Sequence, residues 1–546
     1  MASIALLSNV TTGLLERELK KKHEVYVPAG YDTWMQELYD PGSVLNSRPF
    51  DAEFYLLYAD AWADPWDSVP FGMEEMDRAG ELISRHAEER KETQLFVSEL
   101  DFHLQRITDG HTEDPESEWE QHWRKVLKEL CHQRQNVHLY GWKRSISRAG
   151  GQAFYSDKMW YTGSMPFSVS GIRAVTQDIE ARIRGTLQTR KKCIALDLDN
   201  TLWGGVAGED GPDGILLSDH GQGKLYRDFQ KRLKEIQSTG ILLVILSKNN
   251  PDDIMPVLTG HPHMALRWED FAGYRINWLE KTDNLRDLAR ELNIGLDSIV
   301  FIDDNPAERE AVRRFCPEVE VPNFPEDISQ LPLWAWELYR DYFFSLHVTG
   351  EDQRKTQMYQ EEAKRREVKK STHSIGEYIG ALGIRVRMHR MKKEEIARVS
   401  QLCMKTNQFN LTSKRYSVQE IAALYADPKT DIYTVYTGDR FGDNGLVSVL
   451  ICKREDRSVQ IDTFLMSCRV MGRYIENAVI NRIIEVYRER YDFLIGCYQR
   501  TRKNEPVAGL YARLGFGQKD EQTFQYDLKQ GKMPLSYIKD VEWDEE

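Results

Sequence analysis

"KKCIALDLDNTLWGGVAGEDG", Lys191–Gly211, sets an apolar run of strand length against Asp197 and Asp199, with a threonine at 201. Two more such runs follow, "ILLVILS" at 241–247 and "SIVFIDD" at 298–304, as expected for parallel strands covered on both faces. Between the first two, Leu225, Phe229, Leu233 and Ile236 recur at helical spacing before Gly240, which suits a helix stop. "NLRDLARELNIG" repeats the device with Leu285, Leu288 and Leu292. Strand, helix, strand, helix, strand predicts a doubly wound α/β unit over 189–335.

Each predicted strand ends in polar groups: Asp197 and Asp199, Ser247 with Lys248, and Asp303 with Asp304. In an open parallel sheet the carboxyl ends converge on one crevice, so these residues meet although far apart in sequence. Asp197 and Asp199 are two apart, which on a strand points both to one side. Carboxylates so gathered repel each other unless a hard cation is present, and Mg²⁺ with oxygen ligands fits, leaving coordination sites for a phosphate. Lys281 supplies a compensating positive charge and Ser247 a hydroxyl donor to a phosphoryl oxygen. One aspartate would attack phosphorus while the other protonates the leaving oxygen and later activates water. A DxD alone is equally a simple metal site or a cap pair; Ser, Lys and DD following in order favour phosphate chemistry.

"DLDNT", "LSKNN", Lys281 and "FIDDNPAER" resemble the four motifs of the haloacid dehalogenase superfamily. The longer "DLDNTLWGGVAGEDG", with "INWLEKTDN", "KTNQFNLT" and "SCRVMGR", is similar to its FkbH-type branch. The resemblance implies Asp197 as nucleophile, Asp199 as acid/base, Ser247 and Lys281 as phosphate ligands, and a Mg²⁺ site drawn from Asp197, Asp199, Asp303 and Asp304. Only 45 residues separate Thr201 from Ser247, enough for a flap with Trp203, Gly204 and Gly205 but not for a cap domain. An open site admits a large substrate, such as the arm of a carrier protein. FkbH-type proteins imply transfer of a glyceryl group from 1,3-bisphosphoglycerate, with dephosphorylation, to the phosphopantetheine arm of an acyl carrier protein for polyketide-type biosynthesis.

After a charged helical connector at 336–380, the segment 381–546 predicts a second α/β core. It has a hairpin from "DIYTVYT" and "LVSVLICK", a strand "IDTFLMSC", a helix striped by Ile475, Val479, Ile483 and Val486, and a strand "FLIGCY". "SCRVMGRYIENAV" places Arg469, Gly472 and Arg473 before that helix, where backbone N–H groups can bind pyrophosphate. It resembles the cofactor loop of GCN5-related acetyltransferases (GNAT), with Tyr474 at a Gly/Ala position. The resemblance makes Asn504 and Tyr511 cofactor and acid positions, and this domain a receiver of the pantetheine arm. Cys468, at a strand end beside the loop, is a candidate acyl-accepting thiol.

The first 188 residues open with strands "SIALLSN" and "AEFYLLYAD" and resemble an SGNH-hydrolase domain of flavodoxin type. Ser8 takes the nucleophile's place, but the block that should read Asp-x-x-His has Asp157 followed by Trp160. A degenerate hydrolase fold used for docking is expected. The fold class is thus a three-domain α/β chain.

A net charge of -13 argues against nucleic acid as a partner. The basic run "KRREVKK" at 364–370 reads as a solvated helix face, and Arg500, Arg502 and Lys503 likewise as a solvated face or loop. Seven cysteines without metal-ligand spacing fit a reducing compartment, and no apolar run is long enough for a membrane span, so a cytoplasmic protein is expected. Two rival readings are a plain phosphatase acting on a small phosphomonoester and a carrier-recruiting scaffold with an idle central domain.

Overall fold

The computed structural model describes residues 1–62, 69–103, 115–187, 189–346, 348 and 350–544. The chain divides into two compact units, Met1–Thr356 and Gln357–Glu546. It is mixed α/β throughout, and no helix among the described residues is long and apolar enough to cross a membrane.

The first unit contains two parallel sheets. In one, β1 (Ser3–Ser8), β2 (Glu24–Tyr26), β3 (Ala52–Leu56), β4 (Gln94–Ser98) and β5 (Val137–Tyr140) run in the order β2-β1-β3-β4-β5, the doubly wound order of flavodoxin-like folds. Alternate residues of β1 serve separate cores: Ile4 and Leu6 enter one, Ala5 and Leu7 the other. The Ser8 hydroxyl, expected in the nucleophile's place, donates to the Leu56 carbonyl at 2.6 Å and accepts from the Val10 N–H at 3.2 Å. It is committed to backbone. An imidazole does reach Asp157, but from another element: His103 lies with Nε2 3.2 Å from the Asp157 carboxylate and its ring stacked on Trp160 at 4.6 Å.

The second sheet is built from β6 (Cys193–Leu196), β7 (Leu242–Ser247), β8 (Phe271–Ile276) and β9 (Ile299–Ile302), in the order β8-β7-β6-β9. The helix Gly223–Ser238 buries Tyr226, Phe229, Leu233 and Ile236 against it, with Tyr226 rather than Leu225 opening the stripe. Gly240, at φ +91°, ends that helix as expected. The helix Lys281–Leu292 ends instead on Asn293 in the left-handed conformation. Part of the expected connector belongs to this core: Leu338 and Phe343 pack into it alongside Leu331 and Trp334.

The unit Gln357–Glu546 holds one eight-stranded sheet. Its strands are β10 (Arg385–Arg390), β11 (Thr430–Asp439), β12 (Gly442–Arg454), β13 (Ser458–Met466), β14 (Phe493–Cys497), β15 (Gly517–Gln518), β16 (Thr523–Asp527) and β17 (Asp540–Asp544), in the order β15-β16-β14-β13-β12-β11-β10-β17. The expected hairpin is β11–β12. Parallel β13 and β14 pair only over Ser458–Ile461 and Phe493–Gly496. Where they part, Phe409–Leu411 fills the gap: the Leu411 N–H donates to the Phe464 carbonyl, the Met466 N–H to Phe409 and the Gln499 N–H to Leu411.

The run at 364–370 is not wholly solvated. Arg365 is buried and forms a two-pronged bond to Asp439 at 2.7 and 2.9 Å. Another buried acid, Asp462, accepts from Lys414 at 2.7 Å and from Tyr416 at 2.5 Å and pairs with Lys453 at 2.9 Å. Burial alone would raise its carboxyl, but these partners overcome burial and hold it at about 2. Because the folded value is depressed, the stabilisation is complete above the ordinary carboxylate range and is lost as pH falls through about 2. After screening by its exposed lysines it is worth about 1–2 kcal/mol. Asp462→Asn is expected to lower the melting temperature at neutral pH and to flatten its fall below pH ~4; an unchanged acid profile would remove Asp462 as the cause.

Candidate active site

The carboxyl ends of β6, β7 and β9 bring together groups that the sequence scatters. Asp197 follows β6, and its N–H donates to the Ile302 carbonyl at 2.9 Å, which holds it level with β9. Asp303 follows β9, and Ser247 is the last residue of β7. Lys281 opens its helix and is carried in by a turn pinned through the amides of Asn277 and Asn284, bonded at 2.8 and 3.3 Å. Its ammonium bridges two carboxylates, donating to Asp197 Oδ1 at 2.8 Å and to Asp303 Oδ2 at 2.6 Å. All three side chains are buried.

Asp197, Asp303 and Asp304 each offer a carboxylate oxygen within 4.8 Å of the others. Arg309 donates to the backbone carbonyls of Asp303 and Asp304 rather than to their carboxylates, so Lys281 is the cation placed directly between acids here. Burial, followed by the charge of Asp303, pushes the Asp197 carboxyl up against the opposing pull of Lys281 and Ser247. Burial and Asp303 likewise raise Asp304. Burial would lower Lys281, but the two carboxylates outweigh it and hold the ammonium above its ordinary value. Three acids around one lysine, all hard oxygen donors, fit a divalent cation such as Mg²⁺.

Of the four expected metal ligands the structure gathers three, and Asp199 is turned elsewhere. Its Oδ1 accepts from the Trp203 indole at 2.9 Å and the Ala207 N–H at 3.0 Å, and its Oδ2 from Asn249 at 2.8 Å. The rule that residues two apart share a face fails here because β6 ends at Leu196 and Asn200 is left-handed, at φ +54°. The expected flap is likewise a packed segment: Trp203 is fully buried in the core, and a Cβ on Gly204 would press on Leu216 and Tyr226. Asn249, which joins Asp199 to Ser247 through bonds of 2.8 and 3.2 Å, was missed in the sequence although it lies within "LSKNN".

The residues expected to bind a cofactor in the second unit are largely occupied. Gly472, at φ +76°, and Arg469 lie on the loop before the helix Ile475–Tyr487 as expected. Arg473 is corrected to an internal ion-pair member: it is buried, donates to Glu362 at 2.6 Å and to the Arg469 carbonyl at 2.8 Å, and faces Asp439 at 3.4 Å. Asn504 is corrected to a clamp. Its amide donates to the Asn410 and Gln499 carbonyls, both at 2.9 Å, and accepts from the Thr501 N–H at 2.8 Å. Tyr511 is corrected to core: it is buried against Phe516 and Phe524, and a Cβ on Gly496 would come within 2.4 Å of its ring. Cys468 is exposed. Asn504→Ala is expected to cost about 1–3 kcal/mol, chiefly by stranding the buried Asn410 carbonyl, read as faster hydrogen exchange at Asn410 and Gln499; unchanged exchange would remove the clamp role.

No family model matches the chain, and no curated protein matches it. Solved structures do. The N-terminal part of the protein BF1531 from Bacteroides fragilis, containing a phosphatase domain complexed with Mg, is 24% identical with a TM-score of 0.57, over 63% of this chain and 94% of that one. The ribosomal-protein-S18-alanine N-acetyltransferase from Escherichia coli matches 28% of this chain and 99% of its own at 8% identity, and the GNAT domain of S. lividans PAT matches 26% and 89% at 12% identity, both with TM-scores of 0.22. The first match shows a shared fold; the other two are too shallow to decide anything.

Proposed function

We propose that the chain is a Mg²⁺-dependent enzyme of the haloacid dehalogenase type that removes phosphate from a phosphorylated acyl donor and passes the acyl group to a carrier-protein thiol. The donor its FkbH-like motifs imply is 1,3-bisphosphoglycerate, and the acceptor is the phosphopantetheine arm of an acyl carrier protein. The observation that carries this reading is the Lys281 bridge between Asp197 and Asp303, with Asp304 beside it, where three parallel strands end.

Asp197, Asp303 and Asp304 would hold the magnesium, which when bound neutralises their charge and draws a phosphoryl group to the site. Asp197 attacks the phosphorus of the donor's phosphomonoester, a new P–O bond forms and the bond to the leaving oxygen breaks. Water then attacks the aspartyl phosphate, its P–O bond to Asp197 breaks and inorganic phosphate leaves, while the acyl phosphate is kept for the thiol. Lys281 and Ser247 hold phosphoryl oxygens. The motif assigns the proton for the leaving oxygen to Asp199, which would have to release one of the N–H groups it now accepts. In the transfer, the thiol sulfur attacks the acyl carbon, the C–S bond forms, the C–O bond to phosphate breaks, and the thiol proton passes to water. Cys468 is exposed, as a relay thiol has to be. Seven unpaired cysteines suit the cytoplasm.

Arg473, Asn504 and Tyr511, committed to internal contacts, favour the plain phosphatase as the second reading, since they leave the second unit with only Arg469 and Gly472 of its five expected cofactor contacts. Intact-protein mass spectrometry with Mg²⁺, enzymatically generated 1,3-bisphosphoglycerate and a holo acyl carrier protein separates the two. A glyceryl mass on the carrier, lost in Asp197→Asn, supports transfer, and further loss in Cys468→Ala supports the relay. Phosphate release without loading supports the phosphatase; neither product overturns both.

A further inference from the structure

We infer that Trp278 and Leu279 form the lip on which the uncharged, extended arm of the acyl acceptor lies as it enters the Asp197 site. The identity of the arm rests on the transfer reading above.

Both side chains are exposed, at 68% and 65%, in the turn between β8 and the helix that Lys281 opens. The turn holds them in place. The Trp278 indole N–H donates to the Asn250 side chain at 2.9 Å, across to the turn that follows β7. The Leu279 N–H donates to the Asn277 carboxamide at 3.0 Å, and Asn277 is itself tied to Asn284 on Lys281's helix. A tryptophan fixed outward beside an exposed leucine is a built apolar surface rather than a scattered surface residue, and Leu279 is two positions from the lysine that bridges the acids.

The charges nearby say what lies there. Glu280, next to Leu279, is answered by Lys248 at 3.3 Å, but Lys248 also holds Glu308 at 2.9 Å, so one lysine serves two carboxylates and the strip beside the lip is acidic on balance. Exposed Asp252 and half-buried Asp253, in the first turn of the helix Pro251–Gly260 beyond Asn250, further disfavour an anion there. An apolar strip with acidic neighbours, leading to the site proposed to gather phosphate, suits an uncharged chain of methylenes and amides with a thiol at its tip. An indole face and a leucine also pack such a chain without demanding one conformation.

Calorimetric titration of the full-length protein with pantetheine tests this, using the native chain, Trp278→Ala/Leu279→Ala and the conservative Trp278→Phe. The double variant is expected to bind about tenfold more weakly, with Trp278→Phe recovering most of the affinity. Phosphate release from acetyl phosphate with Mg²⁺, which has no arm, is expected to stay within about twofold of native. Native protein that fails to bind pantetheine, or variants that bind it equally well, overturns the lip. If pantetheine binds through these residues but carries no acyl group after incubation with the donor, the lip stands and the transfer reading falls.

Discussion

Asp197→Asn is expected to release phosphate at least about a thousand times more slowly than the native chain. The substitution keeps the shape of the side chain and one oxygen for the Lys281 ammonium, now 2.8 Å away, so the sheet around it is expected to stay folded. What it removes is the oxygen proposed to attack phosphorus and one of the three charges within 4.8 Å that make the site fit a divalent cation. The measurement is inorganic phosphate released from a small acyl phosphate and from a phosphomonoester at saturating Mg²⁺, with circular dichroism to confirm the fold. Retention of a tenth of native activity on either substrate would show that Asp197 is not the attacking group.

Lys281→Met is expected to act on stability as much as on activity. The side chain is buried between Asp197 and Asp303, and its loss leaves both acids without their nearest cation. Breaking a buried pair from one side costs about 3–5 kcal/mol, because the remaining charges stay desolvated. In a chain with several cores that loss is best read locally, as faster hydrogen exchange at the amides of Ile194–Leu196 and Ile299–Ile302. Added Mg²⁺ is expected to restore part of the protection in Lys281→Met, more than it adds to the native protein. Exchange unchanged by the substitution would mean that the acids are neutralised by some other route.

What was legible in the sequence divides along physical lines. β6, β7 and β9 announced themselves because both faces are covered and the runs are uniformly apolar. β8 did not, because its burial is broken at Gly273, Tyr274 and Arg275, whereas β9, the other edge strand, is buried throughout. Asp197, Ser247 and Asp303 were placed by strand ends, which topology alone brings together. The orientation of Asp199 was not legible, since it depends on a strand stopping at Leu196 and on a left-handed Asn200. In the second unit, motif positions located Arg473 and Asn504 but not their partners. Glu362 is 111 positions away from Arg473, and Asn410 is 94 from Asn504. No local pattern reports contacts of that range.

The stretch read as a connector has a bearing on where this chain could have been joined from separate genes. Arg365 and Glu362 are bonded to Asp439 and Arg473, at the end of β11 and on the loop before the helix Ile475–Tyr487. A crossover at residue 381 would part Arg365 from Asp439 and Glu362 from Arg473, leaving each only its longer pairings: Arg365 with Glu361 and Glu362, Arg473 with Asp439. One placed ahead of Gln357 would move the lock together with its key. Modular exchange in such proteins is therefore expected to respect the earlier seam.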